Sequence, residues 1–264
     1  MKIMLNFSFK YFDSDELSTL FAALKRTFDA ADVSFYLIGA RARDVWFLPE
    51  KKSRITRDVD WIAASEEDTI FKEIRLQLIK YEGFTETQNP YSLLSREGMT
   101  VDLLPFIQNK DRSLEGLKEV FERGTEGVLF DNSAVYHVAT LPAIVFLKLI
   151  AWDDRPDYRL KDLGDITLIF DNYFDLTSDD IYDNHNDLFG DTIELDEIAA
   201  HVIGRKIKYI IGDSIDLRTR LTHILTEKRA VIAQRIAAND SKSESEITQI
   251  LTHLLDGILE TDNL

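Results

Sequence analysis

Along "DSDELSTLFAALKRTFDAA", Leu17, Leu20, Phe21, Leu24 and Phe28 recur at helical spacing, which predicts an amphipathic helix with acidic residues near its N-cap. A strand-like stretch precedes it. "VSFYLIG" is a continuous apolar run ending on glycine and reads as a buried strand. "ARARDVWFL" follows as a short helix opening directly at Gly39, then "EKKSRIT" as a polar loop and "RDVDWIAA" as a second strand. Ser65, Glu66 and Glu67 begin the next helix, "EEDTIFKEIRLQLIKY". "YSLLSREGMTVDLLPF" reads as two strands around a Glu-Gly turn, and "GVLFDNSAVYHVAT" as another hairpin. The segment between them, from Gln108 to about Glu126, is polar and loop-rich.

From "LPAIVFLKLIAW" onward the patterning is almost wholly helical, with an Asp-rich middle between Asp171 and Asp196. Ser243, three residues before Glu246, makes a capping box ahead of the amphipathic "EITQILTHLLDGILE". The expectation is an α+β chain in two parts: residues 1–138 mixing strands and helices in a mixed sheet with flanking helices, and residues 139–264 all helical.

Composition narrows the function. The 264 residues are 45% hydrophobic and 30% charged, as in a globular protein. There is no cysteine, so disulfides and thiolate metal sites are excluded. No apolar run approaches the roughly 18 residues of a membrane span, and the N-terminal stretch lacks the pattern of a signal peptide, so a cytoplasmic protein with no membrane partner is expected. The net charge of -16 repels nucleic acid at long range, so a nucleic-acid partner needs a local basic patch. "KKSRITR" and "GRKIKYI" are basic but short. The five histidines, His137, His185, His201, His223 and His253, show no ligand spacing along the chain.

The candidate chemistry is acidic. Asp58 and Asp60 lie two apart in an apolar strand, so they project to one face. Two carboxylates on one face repel each other unless a positive charge lies between them, and an oxygen donor set favours Mg²⁺. Asp102, between Val101 and Leu103, is a third lone acid in an apolar strand. At "LIGARARD" an apolar strand runs into Gly39 and a helix, which lets backbone N–H groups approach a phosphate with the helix dipole in support. Arg41, Arg43, Arg54 and Arg57 surround the two motifs and are candidate phosphate clamps. Lys148, embedded among Phe146, Leu147, Leu149 and Ile150, needs a partner for a buried ammonium, and Asp165 is the candidate.

The order Gly39-Ala40-Arg41-Ala42-Arg43-Asp44, Arg54-x-Thr56-Arg57-Asp58-Val59-Asp60 and Val101-Asp102-Leu103-Leu104-Pro105-Phe106 resembles the polymerase-β-type nucleotidyltransferase superfamily. Within it the chain looks most like bacterial nucleotidyltransferases related to the AbiEii toxins of type IV toxin–antitoxin systems. "FLKLIAWDDRPDYRLKDLGDI", with Lys148, Arg155, Lys161, Asp162 and Asp165, resembles that family's later motif. The likeness covers about residues 35–170.

The resemblance implies a polymerase-β-like fold followed by a helical domain, and a nucleoside triphosphate substrate with Mg²⁺, two ions in all. It implies Asp58, Asp60 and Asp102 as metal-holding catalytic residues. Gly39, Ala40, Arg41, Arg43 and Arg57 would bind nucleotide phosphates, with Lys148 on the triphosphate and Asp165 orienting it. The acceptor is open among transfer RNA, a protein and a small molecule, and an antitoxin partner is compatible with it. The superfamily carries Gly-Ser or Gly-Gly where this chain has Gly39-Ala40. That difference keeps a nucleotide-binding module without strong chemistry in play; a non-enzymatic interaction protein with coincidental acids is the third reading.

Overall fold

The computed structural model describes residues 5–12, 16–47, 58–106, 114–190 and 193–261. The chain divides into two compact units, one made of Met1–Lys110 with Thr125–Thr140 and the other of Asp111–Gly124 with Leu141–Leu264. It is α+β, with a mixed sheet and, among the described residues, ten α-helices.

The first unit holds β1 (Asn6–Phe7), α1 (Glu16–Ala30), β2 (Phe35–Ile38), α2 (Gly39–Trp46), β3 (Asp58–Ala63), α3 (Asp68–Glu82), β4 (Thr85–Glu86), β5 (Ser92–Leu94) and β6 (Thr100–Pro105). After α4 (Leu117–Arg123), which belongs to the second unit, β7 (Thr125–Phe130) and β8 (Ala134–Ala139) return to it. The strands form one sheet in the order β1-β7-β8-β2-β3-β6-β5-β4. β3 runs parallel to β6 and antiparallel to β2, and β2 runs parallel to β8.

Phe35, Leu37, Trp61, Leu103, Tyr136 and Phe130 occupy one face of the sheet through this register. They meet the apolar stripe of α1. The Phe21 ring lies 4.9 Å from Trp61, and Phe28 stacks on Phe35 at 4.4 Å. Burial in this aromatic core pushes the Tyr136 phenol up to about 12. The β7–β8 hairpin closes through Asp131 and Asn132, both at positive φ, the residue types that tolerate such a turn.

Three local expectations change. Among the described residues of the opening stretch, the strand is Asn6–Phe7. Ser8 Oγ then donates to Asp131 at 2.6 Å and Phe9 N to the same carboxylate at 3.3 Å, which draws Phe9–Phe12 into a 3-10 turn. The third helix begins at Asp68, because the Ser65 carbonyl accepts from Phe106 N and holds that residue extended. The stretch expected as loop before β7 contains α4. Its apolar signal is short, Leu117 and Val120, both buried. Gly116 starts it at φ +90, where a Cβ would overlap the Phe146 ring.

The second unit adds α5 (Leu141–Asp154), α6 (Leu160–Asn184), α7 (Leu195–Ile211), α8 (Ile215–Glu227), α9 (Arg229–Ala237) and α10 (Glu244–Leu259). Ser243 and Glu246 form the capping box of α10, with Ser243 N donating to Glu246 Oε2 at 2.7 Å. α7 and α10 cross at two glycines. A Cβ on Gly204 would overlap the Leu254 carbonyl oxygen, and one on Gly257 the His201 carbonyl oxygen.

The histidines that are scattered in sequence are partly gathered in this unit. The His201 and His253 rings are 6.2 Å apart, and Arg205 Nη1 lies 3.0 Å from His185 Nδ1. Arg205 also pairs with Asp187 and Glu260. Burial holds His201 below its ordinary value, with Arg205 and His253 acting the same way against Glu260 and Asp256. Burial also lowers His185, aided by Lys206 and Arg205 against Asp180 and Asp187.

Two predictions follow from this unit. Gly204→Ala and Gly257→Ala each force apart two helix backbones and are expected to destabilise by at least about 1–3 kcal/mol in urea denaturation, whereas Gly164→Ala, where a Cβ meets nothing, is not. The second concerns pH. His185 and His201 bind a proton less well in the folded chain than at the ordinary 6.5, so their contribution is intact above about pH 6.5 and declines as pH falls below it. The urea midpoint should drop between pH 7.5 and 5.5, and His201→Asn should flatten that drop.

Candidate active site

The site is built where β2 ends. Phe35, Tyr36 and Leu37 are buried, which anchors the strand, and the chain turns at Gly39 with φ +71 into α2. Only glycine suits this corner on two counts. The backbone is left-handed, and a Cβ would overlap the Asp60 carboxylate. Ile38 occupies the cap position of α2 and offers no side-chain acceptor to the first N–H groups of the helix. At its other end α2 is fixed by Trp46 Nε1, which donates to the Ala139 carbonyl at 2.7 Å.

Register delivers the acids. Asp60 pairs across β3–β2 with Ile38 and across β3–β6 with Asp102, and Asp58 pairs with Thr100. Directly opposed residues share a face, so Asp58, Asp60 and Asp102 all lie on the side of the sheet away from the aromatic core. Asp58 is exposed; Asp60 and Asp102 are half-buried. Like charges on adjacent strands repel, and each of the paired carboxylates leans to a separate neighbour. An oxygen of Asp60 sits over the Gly39 corner on the β2 side. On the β5 side, the buried Ser92 hydroxyl donates to Asp102 Oδ1.

The donor set consists of carboxylate oxygens on one face, two of them in register. In type and placement it fits a hard divalent cation. Among the described residues, however, no group of three or more His, Asp or Glu side chains stands ready to hold a metal ion. Asp58 is exposed at the start of β3, and Asp60 and Asp102 each turn one oxygen to a different neighbour, so the three-carboxylate grip expected from the sequence is not formed among the described side chains.

The arginines divide. Arg43 is fully buried, with Nη2 2.6 Å from Asp44 Oδ1 and its guanidinium 5.9 Å from the Phe47 ring centre. As placed it is not a surface clamp. Arg41 is buried with its guanidinium 5.1 Å from the Phe12 ring centre. Arg54 and Arg57 lie outside the described residues. Gly39 and Ala40 form the first turn of α2 beside Asp60.

In the second unit Lys148 is buried with two carboxylates. Nζ lies 2.7 Å from Asp165 Oδ2 and 2.9 Å from Asp162 Oδ1. Asp162 is the partner that sequence reasoning did not single out for this lysine. Its position three residues before Asp165 on α6 was the available signal. Ser92 was missed as well. It stands as far before Glu97 as Asp102 stands after it, so locating the hairpin turn was enough to pair the two.

No known family model matches the chain, and no curated protein matches it. Among solved structures the chain is similar to the antibiotic-resistance factor ANT(2'')-Ia, at 15% identity and TM-score 0.40, over 66% of this chain and 96% of that one. In the described residues, no helix is long and apolar enough to cross a membrane.

Gly39→Ala is expected to destabilise the chain by about 1–3 kcal/mol from backbone strain alone, and to displace the Asp60 side chain besides. Its melting temperature should fall well below that of Gly98→Ala, a glycine also at positive φ where a Cβ meets nothing.

Proposed function

We propose that the chain is a divalent-metal-dependent nucleotidyltransferase that moves a nucleoside monophosphate from a nucleoside triphosphate to an acceptor hydroxyl. The observation that supports this reading best is the in-register pairing of Asp60 with Asp102 beside the uncapped, glycine-started helix α2. A negative pair and an anion-attracting helix start then lie side by side, as a metal–polyphosphate substrate requires.

In the proposed reaction the acceptor oxygen attacks the α-phosphorus, the bond to the bridging oxygen breaks and pyrophosphate leaves. Mg²⁺, two ions when fully loaded, would supply the positive charge that stabilises the entering and leaving oxygens. Asp58, Asp60 and Asp102 would hold that charge, and Asp102 would take up the acceptor's proton. Backbone N–H groups of Gly39 and Ala40 bind phosphate oxygens at the start of α2, with Arg41 and Arg57 adding positive charge. Arg43 is buried and paired with Asp44. The resemblance gives Lys148 the triphosphate and Asp165 its orientation; in this chain Lys148 pairs with Asp165 and Asp162 within the second unit. Catalysis by such a site rests on positioning and charge stabilisation. The acceptor is transfer RNA, a protein or a small molecule. An AbiEii-like toxin with an antitoxin partner is the finer form of this reading.

The unassembled carboxylates favour one alternative, a module that binds nucleotide without turning it over. Incubation with each of four α-³²P-labelled nucleoside triphosphates and Mg²⁺, against transfer RNA, cell-extract protein and metabolites, separates the two. Labelled acceptor is expected with the intact chain and none above background with Asp60→Asn or Asp102→Asn at unchanged melting temperature. Transfer retained by either variant overturns the mechanism. Stabilisation by Mg²⁺ and nucleotide without transfer to any acceptor leaves the binding module.

A further inference from the structure

We infer that Ser92 is a positioning residue for Asp102, holding one carboxylate oxygen so that the other is presented to a divalent cation shared with Asp60. This rests on the metal-dependent reading of the site above.

Ser92 is itself held on every side. Its backbone N donates to the Asn89 carbonyl at 3.0 Å, and its carbonyl accepts from Thr87 Oγ1 at 3.3 Å and from Arg75 Nη2 at 3.4 Å. It pairs with Asp102 across β5–β6, so its side chain is on the carboxylate's face. The side chain is buried. A hydroxyl has one proton to give, and here it goes to Asp102 Oδ1. Among the described residues this is the hydrogen bond that Asp102 receives.

A hydrogen bond to an ionised acceptor is among the stronger kinds, and a buried, backbone-pinned donor cannot follow the carboxylate if it swings. Asp102 is thus limited to orientations that keep Oδ1 toward β5. The other oxygen is then the one offered along the sheet face, where Asp60 is the neighbour on β3. Partners of this kind fix ligand orientation, and their loss typically weakens metal binding about 10–100-fold. The competing account is that Ser92 merely satisfies a partly buried carboxylate. In that case its hydroxyl contributes to stability and not to cation affinity.

The test uses the full chain and Mn²⁺ alone as the probe, with free Mn²⁺ followed by electron paramagnetic resonance. Ser92→Thr and Ser92→Val add the same bulk to the same buried position and differ in the hydroxyl. The expected result is Mn²⁺ binding by the intact chain that is lost in Asp60→Asn and in Asp102→Asn. Ser92→Val should weaken it about 10–100-fold, and Ser92→Thr should stay close to the intact chain. Equal affinity in the Val and Thr variants, whether both are normal or both weakened, overturns the role of Ser92 and leaves the metal reading standing. No Mn²⁺ binding by the intact chain, or binding untouched by both asparagine variants, overturns the metal reading and this inference with it.

Discussion

β3 lies beside β6 through consecutive parallel pairs from Asp58–Thr100 to Ala63–Pro105, and the candidate site depends on that register. A slip of one residue would turn Asp60 into the aromatic core and Trp61 out of it. Val59, Trp61, Val101 and Leu103 are all fully buried on the core face. Side chains of this kind contribute about 1.5–3 kcal/mol each when buried. Two like charges opposed across a strand pair cost on the order of 1 kcal/mol or less. Core burial wins by a wide margin, so the packing of one face keeps two carboxylates adjacent on the other.

The surroundings of these carboxylates lower the cost locally. Gly39 gives the Asp60 side chain room that any other residue would fill, and the Ser92 hydroxyl donates a hydrogen bond to Asp102. α2 is tied down by Trp46 on the Ala139 carbonyl, with Arg43 and Asp44 buried as a pair along its length. The Trp46 contact fixes the C-terminal end of a helix only two turns long, and the buried strand β2 leads into its start.

The helical unit handles charge differently. Lys148 is buried against Asp162 and Asp165, and Arg220 against Glu115, Asp153 and the Ile150 carbonyl. Burial alone would raise the Asp153 carboxyl, but hydrogen bonds from Lys228 and Arg220 outweigh it and hold it below its ordinary range. Such clusters add little net stability over an apolar core, yet losing one member leaves a buried charge uncompensated. They therefore act chiefly as constraints on which side chains face one another within the unit. The glycine crossing of α7 and α10 does the same through backbone contact.

Local chemistry was readable wherever a short stretch carries its own signal. The apolar run ending at Gly39, the alternation around Asp58 and Asp60, the Glu-Gly hairpin before Asp102 and the Ser243–Glu246 box each depend on residues within one or two turns of chain. The α4 helix escaped because two buried residues, Leu117 and Val120, make too short a period to register. What only the tertiary structure decided is every relation across the sheet or between helices. These include Asp60 opposite Asp102 rather than one residue away, Arg43 inside rather than at the surface, and His201 beside His253. Each follows from strand register or helix crossing, which distant side chains settle jointly through packing, and no window of sequence contains both partners.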